Sequence, residues 1–170
     1  MELKKIATMI KNKVYILYYQ SYASTDYTIF CATTDVQKIL AFCSENKIDL
    51  DYEASNESEL TKEIIENESH IEINDLIEGY SIIDSFEVNL PKSRRMYGVI
   101  GNGSDFNAWV AIMKGLYSTH EKAIKAILSE ISKNEWELEE LKDYQERLNE
   151  NNSIIDGVST YWDIIEISIE

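Results

Sequence analysis

The same succession of sequence patterns occurs twice in the chain, once before and once after its only proline, Pro91. Each half begins with two β-branched and aromatic runs, continues with a helical pattern and an acidic segment, and closes with an apolar run. Identity between the halves is low, so the shared order carries the inference. It predicts an α+β fold of two tandem strand-strand-helix-helix-strand units, with antiparallel sheets and the helices packed on one face. The predicted units are residues 1–90 and 91–170, packed together as one compact body.

The predicted strands are runs rich in Val, Ile, Tyr and Phe, the residue types that favour a pleated and partly buried surface. A polar turn separates the first two runs, which predicts an antiparallel hairpin, and the second half has a corresponding pair. The runs cover residues 13–20, 27–33, 79–89, 95–100, 108–117 and 161–170.

The predicted helices begin at pairs of residues whose side chains can each satisfy a free amide at a helix N-terminus. These pairs are Thr34 with Gln37, Ser118 with Glu121, and Ser132 with Glu135. The first helix should cover residues 35 to 45. A further helix in the first half is predicted from the spacing of Leu60, Ile64 and Ile65.

Negative charge is concentrated in the second helical segment of each half. Residues 49–78 contain eleven acids and one Lys, and residues 129–170 contain twelve acids and three Lys or Arg, within a chain of net charge −15. The acids recur at three- and four-residue steps, which places them on one side of a helix, roughly 5 to 6 Å apart along its axis. That separation is close to the spacing of phosphates along a nucleic acid strand.

Two interpretations of the acidic rows remain open. Solvated helix faces are commonly charged, and a net negative charge keeps proteins soluble. A surface selected for stability alone would alternate Lys with Glu, because like charges four residues apart repel by some tenths of a kcal/mol. The repeated imbalance favours a surface that binds a cationic partner.

We expect the partner to contact these acids and two tyrosines of the first hairpin, because partly exposed tyrosines are typical of interaction surfaces. The predicted partner-binding residues are Glu59, Glu63, Glu66, Glu135, Glu139, Asp143, Glu146, Glu150, Tyr18 and Tyr22. The chain has one basic cluster, formed by Lys92, Arg94 and Arg95, which is a possible ligand-binding site.

Several function classes lack support in the sequence. Clustered Lys or Arg would be needed to bind nucleic acid or an anionic membrane directly, and the longest uncharged run is too short and too polar to span a bilayer. His70 and His120 lack a second ligand at metal-binding spacing, so we expect no metal, no cofactor and no catalytic residue. An acidic neighbourhood should raise the pKa of His70. Cys31 and Cys43 are predicted to be free thiols in apolar surroundings, which indicates a cytoplasmic protein.

The sequence predicts a class of function and no specific reaction. An Ile-, Lys- and Asn-rich composition with little Arg and Pro is typical of AT-rich bacterial or phage genomes. We therefore expect a non-enzymatic inhibitor, such as an immunity or anti-defence protein, whose acidic helices mimic nucleic acid in the basic groove of a nuclease, toxin or defence effector. The alternatives are a small-molecule or nucleotide-binding protein that uses the tyrosine-rich hairpin and the basic cluster, and an enzyme with no recognisable motif.

Overall fold

A computed structural model describes residues 11–21, 26–46, 48, 61–75, 79–102, 111–133, 138–155 and 161–170. The elements of the first half are β1 (Asn12–Ser21), β2 (Tyr27–Thr33), α1 (Val36–Glu45), α2 (Lys62–Asn67), β3 (His70–Asp75) and β4 (Gly79–Val88). Those of the second half are β5 (Arg95–Asn102), β6 (Ala111–Tyr117), α3 (His120–Ser132), α4 (Leu138–Asn151), β7 (Ser153–Ile155) and β8 (Tyr161–Ser168).

The strands form two antiparallel sheets with the same internal order. Sheet A runs β2-β1-β4-β3 and sheet B runs β6-β5-β8-β7. Each sheet has a register shift at a corresponding place, after Leu17 in β1 and after Val99 in β5. There the partner strand contains one additional residue, Phe30 in β2 and Lys114 in β6. The α+β class and the tandem arrangement are therefore confirmed, and the halves form separate sheets.

Each half contains one strand more than the sequence predicts. The additional strands, β3 and β7, form antiparallel pairs with β4 and β8 and complete a strand-strand-helix-helix-strand-strand unit. Ile71 and Ile73 alternate with polar residues in β3 and are buried, which is the pattern of a half-buried strand. This alternation is short and lies within the acidic segment, so the sequence pattern does not predict a strand there.

The N-caps of α1 and α3 lie one residue later than predicted, at Asp35 and Thr119. The Asp35 carboxylate accepts a hydrogen bond from the Gln37 amide at the start of α1, and the Thr119 hydroxyl accepts one from the Lys122 amide at the start of α3. Each of these side chains satisfies an amide that the helix leaves free. Ser132 is not an N-cap, because it is the last residue of α3 and its hydroxyl donates to the carbonyl of Ser129.

The two sheets pack face to face, and each carries its helices on its outer face. Val14, Ile16 and Tyr18 of β1 lie in a core shared with Met96, Ile100 and Ile167 of sheet B. The intervening residues Tyr15 and Leu17 pack in a second core with α1 and α2. A third core joins α3 and α4 to the outer face of sheet B. The described residues thus form four layers in the order helix, sheet, sheet, helix.

Candidate binding surfaces and a buried polar network

Helix α4 presents an acidic face to solvent. Glu139, Asp143, Glu146 and Glu150 are all exposed, and they form a row about 17 Å long on the side of the helix opposite Tyr144 and Leu148. Tyr144 and Leu148 are buried and hold the helix against the core of sheet B. This row will be called the α4 face.

The α4 face keeps most of its charge uncompensated. Arg147 approaches Asp143 at 3.8 Å, and both side chains are largely exposed. No other ion pair involves these four acids among the described residues. An exposed pair at this distance is weak, so the four carboxylates of the α4 face keep a net negative charge. Glu135, predicted to extend the row, lies outside the described residues.

Helix α2 carries a smaller acidic surface. It has six residues, with Glu63 and Glu66 exposed, and Lys62 approaches Glu66 at 3.5 Å. The Lys13 ammonium also donates to the main-chain carbonyl of Glu66, at 2.6 Å. Glu59 lies outside the described residues. Because α2 packs on sheet A and α4 on sheet B, their acidic faces belong to opposite outer layers.

Tyr18 does not contribute to an exposed surface, so its prediction as a partner-binding residue is wrong. Its side chain is fully buried between the sheets. The hydroxyl donates to the Asp84 carboxylate at 2.7 Å and accepts from the amide of Met113 at 3.2 Å. Tyr18 thereby links strand β6 of the second half to a carboxylate of the first half. Tyr22, the other predicted tyrosine, lies outside the described residues.

Asp84 is the centre of a polar network that the sequence analysis did not identify. Asp84 is 4% exposed. Its carboxylate accepts a hydrogen bond from the Tyr18 hydroxyl and lies 2.6 Å from the Nδ1 atom of His70. The second ring nitrogen of His70 lies 3.2 Å from Glu72. A buried carboxylate requires such partners, because leaving it unpaired away from water is costly.

The network holds His70 in its charged form at neutral pH. The hydrogen bond to Asp84 raises the pKa of His70 to about 9, while partial burial opposes the shift and Glu72 adds to it. The predicted upward shift is confirmed. The structure adds that the main partner is a buried carboxylate of the adjacent strand.

Among the described residues, sheet B has no counterpart of the network of Tyr18, Asp84 and His70. Tyr18 in β1 and Ile100 in β5 are the first residues after the register shifts. Asp84 in β4 follows Ile83, which pairs with Leu17, and Ile165 in β8 follows Ile164, which pairs with Val99. Corresponding positions are therefore polar in sheet A and apolar in sheet B. One signal for this was present in the sequence, since Asp84 interrupts an apolar strand between Ile83 and Phe86.

Two further groups of contacts join the halves. The Tyr27 hydroxyl of β2 donates to the Asp163 carboxylate of β8. At the opposite end of β2, the amide of Glu170 donates to the carbonyl of Ala32 at 2.9 Å, and the amide of Thr34 donates to the carbonyl of Glu170 at 3.4 Å. The last residues of the chain are thus fixed to the edge of sheet A.

The predicted basic cluster is not assembled into one open site. The Arg94 side chain donates from Nε to the carbonyl of Ile169 at 2.8 Å, and Arg95 pairs with Glu166 at 3.4 Å. Lys92 is exposed in the connection between β4 and β5. Tyr18 is buried and the Tyr27 hydroxyl donates to Asp163, so neither of these two hydroxyls is available to a ligand.

Both cysteines are free thiols in apolar surroundings. Cys43 is buried in the core beneath α1, and Cys31 packs against that core from β2. Burial raises the pKa of Cys43 to about 11 and also raises the pKa of Cys31. Both thiols are therefore protonated and weakly nucleophilic at neutral pH.

Comparisons with known protein families, with curated proteins and with solved structures found no match to the chain. Within the described part of the chain, no helix is long and apolar enough to cross a bilayer.

Proposed function

We propose that the protein is a non-enzymatic inhibitor that binds a basic protein surface through the α4 face. The observation that carries this proposal is the row of four exposed carboxylates on α4, which the protein's own cations leave largely uncompensated. The proposed partner is a nucleic-acid-binding enzyme, such as a nuclease, toxin or defence effector. The proposed setting is the cytoplasm of a bacterium or of a phage-infected cell.

The physical basis is electrostatic complementarity. A cleft that binds nucleic acid presents Lys and Arg at intervals suited to phosphates, and a rigid row of carboxylates can occupy the same positions. Attraction between the two surfaces raises the association rate and depends strongly on ionic strength. Packing of Tyr144 and Leu148 in the core keeps α4 in place, which reduces the entropy lost on binding.

The test compares complexes recovered with the wild-type protein and with a charge-neutral variant. Affinity-tagged wild-type protein and the Glu139→Gln/Glu146→Gln/Glu150→Gln variant are used as baits in bacterial extract, and the recovered proteins are identified by mass spectrometry. We expect a basic nucleic-acid-binding protein with the wild type and at least a hundredfold weaker binding of that protein to the variant. Raising the salt concentration from 50 to 500 mM should weaken the wild-type complex by a similar factor.

A matched control removes three charges elsewhere. Glu45, Glu87 and Glu130 are exposed acids outside α2 and α4, and their combined substitution by Gln changes the net charge equally. This control should retain the complex. Equal loss in both variants would mean that overall charge alone drives binding, and unchanged binding of the α4 variant would disprove the proposal.

A further inference from the structure

Among the described residues, strand β3 is an edge strand of sheet A. It pairs with β4 on one side, and its main chain makes no hydrogen bond to any other described segment on the other side. Its six residues span about 20 Å, which is long enough to template another strand. The corresponding edge strand of sheet B, β7, has three residues. The edge of β2 is already occupied in part by the main chain of Glu170.

The β3 edge carries charge but lacks two other features that commonly protect such edges, proline and a β-bulge. Its sequence, HIEIND, contains neither Pro nor Lys, and its register with β4 is regular over all six residues. Ile71 and Ile73 are fixed in the core beneath α2, so the strand is held in place without an additional partner strand. The edge is therefore preorganised for main-chain pairing.

Charge determines which strand can pair there. Glu72 is exposed on β3 and Glu68 is exposed two residues before the strand begins. Glu63 and Glu66 of α2 lie nearby in sequence. The one cation within the strand, His70, contacts both the Asp84 and the Glu72 carboxylates, so these three groups keep one net negative charge, to which the exposed Glu68 adds another. A second copy of the same edge would bring like charges opposite one another, which disfavours pairing between copies.

We propose that the β3 edge binds an extended segment of a basic protein by strand addition. The main-chain hydrogen bonds supply the binding geometry, and Lys or Arg at alternate positions of the added strand faces Glu68 and Glu72. This surface is separate from the α4 face, and the proposal stands without it.

Hydrogen exchange of the β3 amides tests the proposal. The ¹⁵N-labelled full-length protein is mixed with the blocked peptide Lys-Val-Lys-Val-Lys-Val-Lys at low ionic strength, and amide exchange is followed by NMR. We expect alternate amides of β3, those directed away from β4, to exchange at least tenfold more slowly with the peptide. The blocked peptide Glu-Val-Glu-Val-Glu-Val-Glu should have no effect.

Two variants identify the source of the response. Glu68→Gln/Glu72→Gln should weaken peptide binding at least fivefold, whereas Glu139→Gln/Glu146→Gln should leave the β3 protection intact. Protection absent from β3 would overturn the proposal, as would protection of equal size with both peptides. Binding detected on α4 alone would overturn it while leaving the proposed function of α4 in place.

Discussion

Replacing Tyr18 with Phe should destabilise the protein severely, although only one oxygen atom is lost. The Tyr18 hydroxyl is buried between the sheets, where it donates to Asp84 and accepts from the Met113 amide. Its removal deprives a buried carboxylate of a charge-assisted hydrogen bond and leaves a main-chain amide without a partner. Each loss costs about 1 to 3 kcal/mol, so we expect a combined loss of about 3 to 5 kcal/mol. That is a large share of the roughly 5 to 15 kcal/mol by which a folded domain is stable.

Urea denaturation followed by circular dichroism measures this loss. With a slope of about 2 kcal/mol per molar urea, the unfolding midpoint should fall by about 2 M. Tyr97→Phe is the matched control, because the Tyr97 hydroxyl donates to the exposed Glu166 carboxylate at 3.3 Å and water can replace it. The control should cost less than about 1 kcal/mol. A Tyr18→Phe loss as small as that of the control would refute the assignment of the network as a buried link between the halves.

Two further predictions concern ionisation and helix capping. Because the folded-state pKa of His70 is raised to about 9 from the ordinary 6.5, its stabilisation is complete below pH 6.5 and is lost as the pH rises through 9. Urea midpoints at pH 6 to 10 should fall more steeply for the wild type than for His70→Asn, and parallel profiles would contradict the pKa shift. Thr119→Ala should cost about 1 kcal/mol by removing the N-cap of α3. In thermal unfolding, Ser118→Ala should lower the melting temperature less than Thr119→Ala. A larger effect of Ser118→Ala would mean that Ser118 is the N-cap, as the sequence pattern predicts.

Most elements of the fold could be predicted from the sequence, because each combines a local pattern with a clear boundary. The hairpin of β1 and β2, helices α1 and α3, and strands β4 and β8 lie close to their predicted positions. The capping residues were misplaced by one position because Thr34 and Asp35, like Ser118 and Thr119, are adjacent residues of types that can all serve as caps. Local sequence does not determine which of two such neighbours adopts the capping geometry.

The packing of the two sheets depends on contacts between distant residues. Strand β1 carries apolar residues on both faces, a pattern typical of a strand covered on both sides. The run "VYILYY" has this pattern, and it therefore predicts that Tyr18 is buried. The pairing of Tyr18 with Met113 joins residues 95 positions apart, so no local pattern could predict it.

The candidate surfaces were predicted unevenly. The exposure of Glu139, Asp143, Glu146 and Glu150 agrees with their helical spacing, since the opposite side of α4 holds the apolar residues of the core. The open edge of β3 was not predicted, because an edge is defined by what lies beside a strand. Asp84 is one of 31 acids, and its place within an apolar strand is a weak signal, because its burial depends on the packing of the two sheets.

The four-layer order bears on how many partners one molecule could hold. Helices α2 and α4 lie on opposite outer layers, with both sheets between them. A rigid cleft that encloses one acidic helix therefore leaves the other directed away from it. If both acidic helices bind basic proteins, one molecule bridges two of them. The complex would then contain two partner molecules for each chain.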